Sequence, residues 1–219
     1  MAFYAEDTGG SFERCPPGLH LARCYRIIDL GTQKTEYMGQ PKLQHKITIF
    51  WEIHGTKEDG TPLRLADGRP FSIFKNYTLS WSEKANLRLD LQSWRGRPFT
   101  QEEVRRFDLT NVLDAWCMLN IIERPAKTGN KVYSNVESVT PVPSIIKQSG
   151  LPAQVNKGEI FNLNEPDFAL FETFSDSLKA KIQASPEWER VAGKTPGQAQ
   201  SSPAGAPGGF DNMDDDIPF

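Results

Sequence analysis

From Leu43 to His54 the chain alternates with a period of two. Ile47, Ile49, Trp51 and Ile53 occupy one set of positions, and Lys46, Thr48, Phe50 and Glu52 the other. Successive side chains of a strand point to opposite faces, so this stretch predicts a strand with one face in the core. A first strand is predicted over Gly18–Leu30, rich in β-branched and aromatic residues after Pro16-Pro17, and a third over Pro70–Thr78. Residues 31–41, with Gly31, Gly39 and Pro41, read as a loop, and Asp59-Gly60 and Asp67-Gly68 are turn dipeptides.

From Ser80 the period changes. Ser80-x-x-Glu83 reads as a capping box, and Leu87, Leu91 and Trp94 follow at the spacing of one helical face, with Gly96 to end the helix. Thr100-x-x-Glu103 is a second capping box, opening a short helix to about Phe107. Asp114–Arg124 reads as a fourth strand, Thr128-Gly129-Asn130 as a hairpin turn and Lys131–Val139 as a fifth strand. Three strands, a helix and two strands is the order of the five-stranded Greek-key OB barrel. The fold class expected is therefore mainly β, with an unrelated α+β sheet as the alternative.

Pro141–Pro152 reads as loop, and residues 164–191 as helical. The domains expected are an OB-fold body over residues 1–142 and a helical extension over 143–192, packed on the barrel or on a second subunit. Residues 193–209, made of Gly, Pro, Ala, Ser and Gln apart from Lys194 and Thr195, have the composition of a disordered linker. Residues 210–219 form an acidic tip, with Asp211, Asp214, Asp215 and Asp216 before Ile217-Pro218-Phe219.

That tip resembles the C-terminal tip of bacterial single-stranded-DNA-binding proteins. The matching residues are Asp214, Asp215, Asp216, Ile217, Pro218 and Phe219. The resemblance implies a protein-interaction element that docks replication and repair enzymes through an aromatic ring and a terminal carboxylate. The body carries a further resemblance. The segment YTLSWSEKANLRLDLQSWRGRPFTQEEVRRFDL, with AWCMLNI and YSNVESVTPVP after it, is similar to a family of small phage proteins from replication and recombination gene clusters. It implies a phage origin and the cytoplasm of an infected bacterial host, and carries no residue roles across.

Charge sharpens this picture because it is segregated. The formal net charge is −3, yet Arg14–Tyr133 holds 19 Lys and Arg against 13 Asp and Glu. A basic body beside an acidic tip fits a polyanion binder. No apolar run reaches the roughly 18 residues of a membrane span, and residues 1–13 lack the apolar core of a signal peptide. Three cysteines, Cys15, Cys24 and Cys117, read as reduced thiols.

Enzymatic motifs are lacking: no Walker loop, no G-x-S-x-G and no H-E-x-x-H occurs, so no catalytic residue and no cofactor is expected. Cys15, His20 and Cys24, with Cys117 or His45 as a fourth ligand, could hold zinc. His20 and Cys24 fall inside a predicted strand, however, and no C-x-x-C pair is present, so no metal is assigned.

A single-strand binder needs cations for phosphates and aromatic rings for bases. Such candidates fall where an OB barrel places its binding face: Lys46 and Phe50 on strand two, and Phe74, Lys75, Tyr77 and Trp81 on strand three and its exit. Arg124, Lys127, Lys131 and Tyr133 lie on the following hairpin, Arg23 and Arg26 could line the floor, and Arg95 and Arg97 a rim. Trp51 and Trp94, in apolar patterns, are expected in the core, as is Trp116 among apolar neighbours. The function expected is sequence-independent binding of single-stranded DNA, with partner enzymes recruited by the tip and a homodimer possible. The alternatives are an interaction protein that recruits or occupies host repair factors without binding DNA, and a strand-annealing or recombination mediator.

Overall fold

The computed structural model describes residues 13–37, 39–57, 59–126 and 131–192. The tether, the tip, Lys127 and the Thr128-Gly129-Asn130 turn lie outside them. Six strands form one sheet: β1 (Gly18–Tyr37), β2 (Gln40–Ile53), β3 (Ser72–Thr78), β4 (Trp116–Pro125), β5 (Val132–Thr140) and β6 (Glu159–Phe161). The first five pair antiparallel in the order β3-β2-β1-β4-β5, and β6 runs parallel to β1. The sheet is open. β3 and β5 stand at its two ends and approach each other without being joined in the ladder.

β1 is longer than its composition suggests. Residues 32–37, expected in a loop, continue the strand and pair with Gln40–His45. The glycine that read as a breaker is absorbed instead: Gly31 has φ 69°, and the β1–β2 register shifts between Asp29 and Gly31. A bulge of this kind needs a left-handed residue and lets the strand run on.

The two faces of the sheet carry two cores. On the first, Ile47, Ile49, Trp51 and Ile53 pack with Leu87, Leu91 and Trp94 of α1 (Asn86–Arg95). The predicted face and its αL cap at Gly96 (φ 74°) are present. The Ser80–Glu83 box is not. Ser80 Oγ contacts Ser82, and the helix begins six residues after Ser80, behind Ala85 with no side-chain cap. The Thr100–Glu103 box does form, at the start of α2 (Gln101–Arg106).

On the second face, Ile28 and Leu30 of β1 pack with Phe161 of β6 and with Phe171, Phe174 and Ile182 from the C-terminal helices. Those helices are α4 (Phe168–Glu172), α5 (Asp176–Gln183) and α6 (Pro186–Ala192). The segment read as loop from Pro141 holds a short α3 (Ser144–Ser149), and β6 carried too few residues to be seen as a strand. Asp167 and Ser175 cap α4 and α5 by accepting from Leu170 N–H and Leu178 N–H. Glu187 of α6 accepts from Thr32 N–H at 2.8 Å and Thr32 Oγ1 at 2.7 Å.

Gly31 lies against the start of α6. A Cβ there would stand 2.5 Å from Ser185 Cβ, and Ser185 is fully buried. Gly31→Ala should therefore lower stability by at least the ~1–3 kcal/mol of a strained left-handed residue. Urea unfolding checks it, and a wild-type midpoint would show that α6 yields freely.

Candidate nucleic-acid interface

The second face continues past the C-terminal helices onto β2 and β3. There the ladder sets Phe50 opposite Phe74, Thr48 opposite Asn76 and Lys46 opposite Thr78. Directly opposed residues share a face, so these six form one cross-strand column. The Phe50 and Phe74 ring centroids are 5.4 Å apart at 38°, and Tyr25 adds a third ring 6.3 Å from Phe50. Thr48 Oγ1 donates to Asn76 Oδ1 at 2.7 Å, and Lys46 Nζ to Thr78 Oγ1 at 2.9 Å.

Arg26 reaches this face through a second irregularity. Cys24 pairs with Trp51 and Arg26 with Phe50, so Tyr25 is an extra residue in β1. The extra residue flips the alternation, placing Arg26 beside Phe50 and not in the first core. Its guanidinium carbon lies 6.0 Å from the Phe50 centroid and 5.7 Å from that of Phe174, within cation–π range. Glu159 of β6 holds it there, accepting from Nε at 2.7 Å and facing Nη2 at 2.5 Å.

Between this column and α5 lies a half-open cleft of about 220 Å³. The sheet contributes Arg26, Thr48, Phe50, Phe74 and Asn76 to its walls. Phe174 and the α5 side, with Ser175, Ser177, Leu178 and Lys181, close it above. Aromatic faces, hydroxyls, an amide and two cations therefore converge on one opening.

The other expected residues lie elsewhere. Arg23 shares the second face but cannot line an open floor, because it is fully buried. Its Nε donates to Glu52 Oε1 at 2.8 Å, its Nη1 to Asp114 and its Nη2 to Asn156 O. Tyr77 is also core, 2% exposed with its hydroxyl on Asp90. Lys75 pairs with the same Asp90 at 2.9 Å. Trp81 is half-buried, edge-on to Phe99 and Phe107. Arg95 and Arg97 both pair with Glu103, whose carboxyl Arg95 foremost holds down at about 2. Arg95 also lies 4.2 Å over Phe99, beside an apolar cavity of about 290 Å³ under α1. Arg124 pairs with Glu137 at 2.5 Å, opposite the half-buried Tyr133 on the β4–β5 ladder, and Lys131 is exposed at its end. Trp51 and Trp94 are core as expected, whereas Trp116 is half-buried with its ring 4.9 Å from His54.

Of the expected cations and rings, Arg26, Lys46, Phe50 and Phe74 come together. Thr48, Asn76, Phe174, Ser177, Leu178 and Lys181 join them without having been singled out in the sequence. Strand alternation in Ser72–Thr78 already separates Phe74 and Asn76 from Lys75 and Tyr77. The helical contributors had no comparable signal.

Among the described residues no three His, Cys, Asp or Glu side chains cluster as a metal site would require. His20 Nε2 is 2.9 Å from Pro16 O, and Cys24 and Cys117 lie in the first core. Burial pushes the Cys15 thiol up to about 12, a state poor in nucleophilic thiolate. No described helix is long and apolar enough to cross a membrane. A scan against protein-family models and a search of curated proteins found no match.

Proposed function

We propose that the chain binds single-stranded DNA with little regard to sequence, on the β2–β3 face, and recruits replication and repair enzymes through its C-terminal tip. The observation that carries this reading is the Phe50–Phe74 pair, with Arg26 over a ring, at the mouth of a half-open cleft. Bases offer π-faces whatever their identity, so a half-buried ring pair that lines an opening beside cations suits a strand of any sequence. The strand order β3-β2-β1-β4-β5, with β3 approaching β5, supports an OB-type barrel as the scaffold. The tip Asp214–Phe219 supports the recruiting role, and a phage protein acting in the cytoplasm of an infected bacterium is the setting in this reading.

One observation favours a second reading, an interaction protein without DNA affinity: Arg23, Arg26, Lys75, Arg95, Arg97 and Arg124 are all engaged by carboxylates. Gel shifts with single- and double-stranded oligonucleotides at low salt separate the two. Retardation of the single strand alone supports DNA binding, and no retardation of either supports the second reading.

The same pairing sets the salt dependence. With Lys46, Lys181 and Arg26, the last shared with Glu159, as phosphate partners, a slope near −0.7 per neutralised phosphate gives at most about −2 in log K against log salt. Affinity should thus fall by at most roughly 15- to 20-fold between 50 and 200 mM salt. Fluorescence titration of oligo-dT across that range checks it, and a slope twice as steep would require further cations outside the cleft.

A further inference from the structure

We infer that the cleft between β2, β3 and α5 is a single-base pocket, in which the C-terminal helical segment forms one wall of the DNA site and Asn76 reads the base edge. This rests on the single-strand reading above and goes beyond it. That reading needs only rings and cations on an open sheet. The structure adds a roof, an orienting hydrogen bond and a limit on size.

The size argues for one ring system. A volume of about 220 Å³ falls below the roughly 300–1,000 Å³ of pockets that bury drug-sized ligands. The walls match the parts of a nucleotide. Phe50 and Phe74 offer faces from the sheet, and Phe174 and Leu178 close the apolar part from the helix side. Arg26 and Lys181 bring positive charge to the same opening. Glu159 is the carboxylate that faces Arg26, and it fixes the guanidinium in place.

Asn76 gives the pocket a polarity. Its Oδ1 accepts from Thr48 Oγ1 at 2.7 Å, which orients the amide, and Asn76 lines the cleft, so Nδ2, a pure donor, is the group left to meet a ligand. A base edge carrying an exocyclic carbonyl, as in thymine, satisfies that donor. Adenine can meet it only through a ring nitrogen such as N7, which sets its exocyclic amine against Asn76 Oδ1, already engaged by Thr48. That amine is then left short of an acceptor, and a polar group covered without a partner costs more than a hydrogen bond gains. One position of the bound strand therefore prefers thymine to adenine, while neighbouring bases are held without discrimination.

The full chain is titrated with fluorescent oligo-dT and oligo-dA, as wild type and as Asn76→Leu, Leu178→Trp and Ser177→Trp variants. Thermal unfolding of each protein is recorded alongside. Wild type should prefer oligo-dT, and Asn76→Leu should reduce the dT/dA affinity ratio by about three- to tenfold. The self-stacking of oligo-dA is the same for both proteins, so it cannot produce that change. Filling the cleft with tryptophan from either helix position should weaken oligo-dT binding about tenfold or more, the scale of one lost stacking contact. Ser177→Trp serves where Leu178→Trp unfolds, because Ser177 lies outside the apolar cluster. Wild-type affinity in a folded Ser177→Trp protein, or an unchanged ratio in Asn76→Leu, overturns the pocket while DNA binding stands. A wild-type protein that binds neither oligonucleotide overturns both.

Discussion

Replacing Phe50 and Phe74 together with alanine should reduce oligo-dT affinity by two orders of magnitude or more while the fold persists. Each base stacked on an aromatic ring contributes about 1–3 kcal/mol, and the two rings lie close enough to hold one base or two successive ones. Loss from the pair is bounded by coupling: if both rings serve the same base, the double variant should lose less than the two single losses combined. Phe50 also touches the second core, so its removal costs some stability, whereas Phe74 has no place in either core cluster. Phe74→Ala alone therefore gives the cleaner reading, with a drop of about tenfold or more. A matched control is Trp81→Ala, on the exit from β3, which should leave oligo-dT affinity within about twofold because Trp81 packs on Phe99 and Phe107 away from the cleft. Equal losses in Trp81→Ala and Phe74→Ala would mean that the strand runs elsewhere.

The second large effect is on stability. Glu52 and Arg23 are both fully buried, and Glu52 also accepts from Asn156 N–H and Nδ2 at 2.7 Å and lies 2.9 Å from His54 Nε2. This network ties the segment before β6 to the sheet, and β6 leads into the helices that roof the cleft. Glu52→Leu leaves the Arg23 charge buried with Asp114 as its remaining carboxylate, and should cost about 3–5 kcal/mol. The double variant Arg23→Leu/Glu52→Leu should be less damaged than Glu52→Leu alone, because replacing both members of a buried pair with apolar residues removes the uncompensated charge. Urea unfolding of the cycle checks this, and additive losses would contradict it.

The pH dependence follows from the same carboxylate. Burial alone would raise Glu52, but the Arg23 guanidinium, the Asn156 amide and its other donors outweigh it and hold the carboxyl at about 2. A carboxyl depressed on folding stabilises the folded state fully above its ordinary unfolded value and loses that contribution as pH falls through the folded one. Wild type and Glu52→Leu should therefore differ most at neutral pH, and the gap should narrow as pH drops from about 5 toward 2. A gap that widens on acidification would place the stabilising charge elsewhere.

Much of the scaffold was legible because it depends on local rules. The alternation Ile47–Ile53 put Trp51 in the core, the Leu87-Leu91-Trp94 spacing gave the buried face of α1, and Thr100–Glu103 formed its box. What stayed hidden depends on pairs distant in sequence. The Tyr25 and Leu30 positions are extra residues only relative to their β2 partners, so nothing in β1 itself reveals that Arg23 and Arg26 share a face. Arg23 then proved buried because residues 155–156 cover it, more than a hundred positions away. Lys75 and Tyr77 misled for a different reason. They were grouped with Phe74 by composition, although adjacent strand positions cannot face one cleft. The helical wall was invisible, since Ser177, Leu178 and Lys181 look like any amphipathic helix until α5, packed on β1, is seen to face β2 and β3 across the cleft.

The most direct test of the whole account is photocrosslinking of the full chain to an oligo-dT strand carrying one 5-iododeoxyuridine, with the attached peptides identified by mass spectrometry. Adducts should concentrate on Phe50, Phe74 and Phe174. Adducts confined to Trp81, Tyr133 or residues beyond the β2–β3 face, or no adduct at low salt, would contradict it.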